Sequence, residues 1–193
     1  MQAARGASLN TSDQVDHDPA RRRIDSRLVF AGMALLAYGL DLGSKQWALA
    51  TLADGDIAVL GDWFTLHLTF NPGAAFSTGT DFTIVFTGLA MVAVVVVLWL
   101  SRRVASTGWA LALGLLLGGV GGNLTDRVVR EPEPFHGHVV DFLMLPNWPV
   151  FNVADICINV AAGLIILQTF RGVALDGTRD SDARSDPEPD ATG

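Results

Sequence analysis

"FTIVFTGLAMVAVVVVLWL" (residues 82–100) carries no charge, and its only hydroxyls are Thr83 and Thr87. A helix on the surface of a soluble domain needs a polar face, and this stretch has none. Its 19 residues rise roughly 28 Å as a helix, which matches a hydrocarbon core of about 30 Å. It reads as a transmembrane helix.

Working outward, three more segments have the same character. They run from about Arg27 to Leu52, from about Thr107 to Asn123 and from about Phe151 to Phe170. The third in chain order holds "LGLLLGGVGGN", a run of small residues that lets helices pack closely in lipid. Half of the 193 residues are hydrophobic and only 17% are charged, less charge than a soluble domain carries. The fold class expected is an all-α membrane protein, a four-transmembrane-helix bundle. Residues 1–26 and 174–193 are polar and Asp-rich, so they are expected to be disordered tails around a membrane domain of residues 27–173. The net charge of −7 comes largely from those tails and says little about partners. No cleavable signal peptide is expected. The lone cysteine, Cys157, rules out an intramolecular disulfide.

Basic residues set the orientation. Arg21, Arg22, Arg23 and Arg27 precede the first span, Arg102 and Arg103 link the second to the third, and Arg171 follows the fourth. The longer connections, 53–81 and 124–150, hold eight acidic residues against Arg127 and Arg130. Both termini are therefore expected in the cytoplasm and both long loops outside. "WFTLHLTF" (63–70) and "GHVVDFLML" (137–145) alternate enough to form short strands, which predicts a small extracytoplasmic β-element on the bundle.

Several polar residues sit where a bilayer disfavours them. Asp41 and Lys45 are spaced i, i+4 on one face of the first span, either as an internal ion pair or beside a site. Asn123 and Asp126 end the third span, and Asn152 and Asp155 begin the fourth; both pairs are written N-x-x-D. The helices run in opposite directions, so the two aspartates are expected at one depth, facing each other. A lone Asp155 reads as a helix cap. Two matched pairs read better as carboxylates sharing a proton, one activating water and the other donating to a carbonyl, which is peptide hydrolysis without a metal. His136 and His138 have neither an H-E-x-x-H pattern nor a third ligand at a telling distance, and no G-x-S-x-G motif appears.

Five motifs then occur in order: D-x-x-S-K (Asp41–Lys45), N-P-G-A-A-F-S (Asn71–Ser77), G-N-L-T-D-R (Gly122–Arg127), G-H-V-V-D-F (Gly137–Phe142) and F-N-V-A-D (Phe151–Asp155). Together they resemble the lipoprotein signal peptidase (signal peptidase II) family over about residues 27–171. The resemblance implies an intramembrane aspartic endopeptidase that cleaves diacylglyceryl-modified prolipoproteins before the lipidated cysteine. It implies Asp126 and Asp155 as the catalytic pair. Asn123, Asn152 and Ala154 would shape the site, and Asp41, Lys45, Asn71, Gly73, Arg127 and Asp141 would support it or meet substrate. No cofactor, metal or nucleic acid is expected, and the partners are prolipoprotein and membrane lipid around a monomer. The Pro72–Gly73 turn would lay "FNPGAAFS" over the site, with Phe70 and Phe76 as apolar cover. Two departures from the family pattern bear on substrate fit: Ile156 stands where serine is common, and the 130–136 stretch is long. The rival readings are a presenilin-like protease, which would want the missing G-x-G-D, and a non-enzymatic ion- or lipid-handling bundle.

Overall fold

The computed structural model describes residues 25–73 and 81–179. Its elements follow in the order α1 (Ser26–Thr51), β1 (Ile57–Ala58), β2 (Thr65–Asn71), α2 (Asp81–Ser101), α3 (Thr107–Val129), β3 (Val139–Met144) and α4 (Val153–Phe170). All four helices are long and apolar enough to cross a membrane. Large side chains stand exposed along α2, among them Val85, Leu89, Val92 and Val95. Such a continuous apolar surface suits lipid and would be untenable in water.

The third helix is the axle. It packs along α1, α4 and α2 in turn, and glycines set the separations. A Cβ on Gly118 would come within 2.6 Å of the Ala34 carbonyl oxygen on α1, and one on Gly119 within 2.7 Å of the Ala154 carbonyl oxygen on α4. Between lipid-solvated helices, close van der Waals packing of this kind supplies much of the association energy. The helix also runs six residues past the expected end at Asn123, to Val129, and this extension alters the site.

The three strands form one antiparallel sheet in the order β1-β2-β3. A bulge in β2 between Leu66 and Thr69 re-aims the strand so that Thr69 pairs with Asp141 and Asn71 with Val139. Beyond β3 the chain turns and comes back, and Phe151 exchanges backbone hydrogen bonds with Leu143. Asn152, the N-cap of α4, follows at once. This return is what brings the start of α4 beside the middle of β3. Phe142 ties the sheet to α1 by packing with Ala48 and Leu52 and meeting Trp47 edge-on.

The expected strands are present, and β1 adds a third. The expected N-terminal tail lies almost wholly outside the described residues. Of the C-terminal one, residues 174–179 are described and form a turn. The Leu175 carbonyl there accepts from the backbone of Ala105 and Ser106, and its side chain packs on the cluster of Val97, Val104, Ala110 and Leu113. Ser26 Oγ donates to the Ala105 carbonyl, so the start of α1, the α2–α3 link and residues 174–179 meet at the pole opposite the sheet.

Candidate active site

Lys45 is the hub of a buried network. Its ammonium, fully enclosed, lies 2.7 Å from Asp41 Oδ2 and 2.8 Å from Asp126 Oδ2, and donates to Asn123 Oδ1 at 2.9 Å. Asp126 has a second cation: Arg130 Nε donates to Oδ1 at 2.5 Å, and the Val140 backbone N–H reaches Oδ2 at 3.3 Å. Asp41 Oδ1 accepts from the Ala154 backbone N–H at 2.9 Å, which anchors the first turn of α4 to α1. Asp41, Lys45 and Asp126 are shut away from solvent, and Arg130 is partly exposed.

The expected meeting of Asp126 with Asp155 does not occur. Because α3 stays helical through Val129, its last turns bring Asn123, not Asp126, to the first turn of α4. Asn123 Nδ2 donates to Asp155 Oδ1 at 3.0 Å, while Asp126 lies a turn further on, against α1 and β3. Asp155 completes a capping box with Asn152: its own N–H bonds the Asn152 side chain at 3.0 Å, and its Oδ2 accepts from the Asn152 N–H at 3.1 Å. The cap and a chemical role therefore fall on the same carboxylate.

The aspartate that shares a cavity with Asp155 is Asp141. Both line a recess of about 470 Å³, together with Asn71, Trp148, Ile156, Asn159 and Val160. Asp141 Oδ1 accepts from Asn152 Nδ2 at 2.6 Å and its Oδ2 from Asn71 Nδ2 at 2.9 Å. Asn71 is itself held by a local turn, in which Gly73, at φ +103°, donates its N–H to Asn71 Oδ1 at 2.8 Å. Only glycine adopts that φ without strain. Among the described residues neither Asp141 nor Asp155 has a cation within ion-pair distance. Burial, and secondarily the Asp155 charge, push the Asp141 carboxyl up to about 6, against the opposing pull of the Asn71 and Asn152 hydrogen bonds.

Asn152 binds the two groupings together, since its amide also donates to Asn123 Oδ1 at 3.1 Å. Arg127 stands behind them. Its Nη1 donates to the Asn123 carbonyl at 3.3 Å, and its Nε has no partner among the described residues. Ala154, without exposure, contributes its backbone N–H and the room its small side chain leaves.

Other expected features separate from the site. His136 is 3.5 Å from Glu133, and His138 lines a different recess with Phe70 and Arg130. Of the expected cover, Phe70 is thus turned to that other recess, and residues 74–77, Phe76 among them, lie outside the described residues. Ile156, 44% exposed, does line the cavity, which makes it a wall of the site. Sequence reading missed Arg130 and Asn159. Both carried a signal: Arg130 follows Asp126, and Asn159 follows Asp155, by one i, i+4 step on a helix.

A family model described as signal peptidase (SPase) II matches residues 33–171. The lipoprotein signal peptidase of Leifsonia xyli subsp. xyli is 41% identical over 182 residues, covering 92% of this chain and 84% of that protein. That of Streptomyces griseus subsp. griseus is 43% identical over 178 residues, covering 92% and 89%. That of Mycobacterium tuberculosis is 43% identical over 153 residues, covering 78% and 76%. A solved bacterial membrane enzyme aligns with a TM-score of 0.65 at 22% identity, over 74% of this chain and 92% of its own, a likeness of fold.

Proposed function

The chain belongs to the signal peptidase II family, and on that premise we propose that it is an aspartic endopeptidase with Asp141 and Asp155 as its catalytic pair. It removes signal peptides from prolipoproteins, cutting before a cysteine that carries diacylglyceryl. The observation that carries the assignment is the unequal supply of cations. Asp126 is held by Lys45 and Arg130, whereas Asp141 and Asp155 line an open cavity and receive only amide donors.

Charge counting supports a singly protonated pair. The connected cluster has four carboxylates (Asp41, Asp126, Asp141, Asp155) and three cations (Lys45, Arg127, Arg130). One proton on the open pair brings the sum to zero, the cheapest state at a low-dielectric boundary. Asp155, at the N-terminus of α4 and accepting from Asn123 Nδ2 and the Asn152 N–H, serves as the general base. Asp141, on a buried strand, holds the proton.

Hydrolysis then balances in two steps. Asp155 takes a proton from water as the oxygen attacks the scissile carbonyl carbon, and Asp141 gives its proton to the carbonyl oxygen. The resulting gem-diol collapses: Asp155 returns its proton to the departing amine nitrogen, Asp141 regains one from a hydroxyl, and the C–N bond breaks. Asn71 and Asn152 hold Asp141 in place through both steps, and Asn123 and Asn152 hold Asp155.

The location follows the charges. Arg27, Arg102, Arg103 and Arg171 collect at the pole away from the sheet, which supports cytoplasmic termini and a cavity at the outer face of the bacterial cytoplasmic membrane. An ion- or lipid-handling bundle is not favoured, since the family and the relatives the chain matches are peptidases. The test is cleavage of a diacylglyceryl-modified precursor by purified protein. Wild type is expected to release the signal peptide, while Asp141→Asn and Asp155→Asn, each folded by thermal melt, leave it intact. Substantial cleavage by either folded variant would sink the pair.

A further inference from the structure

Asn159 is an exposed amide on the face of α4 that carries exposed Ile156 and Val160. It lines the same cavity as Asp141 and Asp155. Its Nδ2 donates back to the Asp155 carbonyl at 2.8 Å, the usual way for a polar side chain to satisfy itself within a helix. That bond uses one of two N–H donors and none of the acceptor capacity. The remainder faces the cavity in a segment where unpaired polar groups are costly.

We infer that Asn159 is a specificity-determining residue whose free N–H binds an ester carbonyl of the diacylglyceryl group on the substrate cysteine. This rests on the reading of the substrate proposed above. Two considerations select the ester. A signal peptide crossing the membrane as a helix satisfies its own backbone carbonyls, whereas glyceryl esters have acceptors and no donors. Depth agrees as well. Asn159 lies four residues, about 6 Å of helix rise, from Asp155 toward the membrane interior, comparable to the few single bonds between a cysteine's backbone and its glyceryl ester. With the scissile bond at the carboxylates, the thioether passes Ile156, the ester reaches Asn159, and the acyl chains leave past Val160 into lipid.

The test compares two synthetic precursors on the intact enzyme. One carries S-diacylglyceryl cysteine, the other the dialkyl ether analogue that lacks both carbonyls. A single hydrogen bond is worth about a fivefold difference in KM, so wild type should favour the ester by about that factor with little change in kcat. In Asn159→Leu the ratio of the two KM values should fall to about one. Asn159→Ser, which keeps a donor, should retain part of the preference, and it also serves if the leucine variant melts early. A preference for the ester that survives in Asn159→Leu, or none in wild type, overturns the carbonyl contact. If wild type cleaves neither precursor, the proposed reaction fails along with this contact.

Discussion

Two pairs of aspartates lie within one connected hydrogen-bond network, and they are provisioned differently. Asp41 and Asp126 are closed in with Lys45 and Arg130. Asp141 and Asp155 face a cavity with asparagine amides as their side-chain donors. A carboxylate saturated by cations keeps its charge and its place, so it holds structure. One supplied only with neutral donors is positioned but left short of positive charge, so it can take up a proton and release it. On the pairing proposed above, the amount of neighbouring cation separates scaffold from chemistry more than burial does, since Asp126 and Asp141 are about equally enclosed.

Substitutions sharpen that contrast. The largest effect expected is on turnover: Asp141→Asn or Asp155→Asn should lower single-turnover cleavage by about 10³-fold or more, and the double variant should be scarcely worse, because the two act as one unit. Next comes stability. Lys45→Met leaves the buried Asp41 carboxylate without its cation, at a cost of about 3–5 kcal/mol, to be read as a large fall in detergent melting temperature; Asp126→Asn, which leaves Lys45 paired with Asp41, should lower it less. An Asp126→Asn protein as stable as wild type yet inactive would break the comparison and return Asp126 to the chemistry.

The pH dependence of stability should be smaller. Asp141 holds its proton more tightly when folded, with a value of about 6 against 3.8 for the free side chain. The native state therefore binds the extra proton between those values, and stability declines as pH rises through that window. The decline amounts to at most about 3 kcal/mol and should be absent in Asp141→Asn melts run from acid to neutral pH. An equal decline in both proteins would refute the assignment. The smallest effect concerns Asn71, whose hydrogen bond lowers the Asp141 value. In Asn71→Ala the alkaline limb of the activity profile should move to higher pH, and a shift downward would contradict the protonated role of Asp141.

The four spans were legible because lipid demands long uncharged stretches, and nothing else in a sequence resembles residues 82–100. The strands followed from alternation, except β1, whose two residues are too few to show any. Asp155 was legible as a polar residue at a helix start. The choice of its partner was not. Helical spacing tells which residues share a face, and the two N-x-x-D pairs look symmetric on that basis. It does not tell which neighbour the face meets. The six-residue continuation of α3 put Asn123 opposite Asp155, and the return of the chain at Phe151 put Asp141 there too. Both are tertiary events without a local signature. Asp141 did leave a trace, as a lone charge within the apolar run "HVVDFL".

The spacing of the buried ion pairs has a consequence for biogenesis. Asp41 and Lys45 are four residues apart on α1, and Asp126 and Arg130 four apart at the end of α3. Each helix thus carries its own counter-ion. When α1 leaves the ribosome and partitions into the bilayer, long before α3 exists, the two charges in its interior already cancel. On the third helix Asp126 and Arg130 cancel in the same way, with Arg127 left over beside them. Only when the two meet does Lys45 reach across to Asp126, merging two private pairs into one shared set. Asp41, Lys45 and Asp126 thus need not enter lipid as naked charges while waiting for a partner still being synthesised.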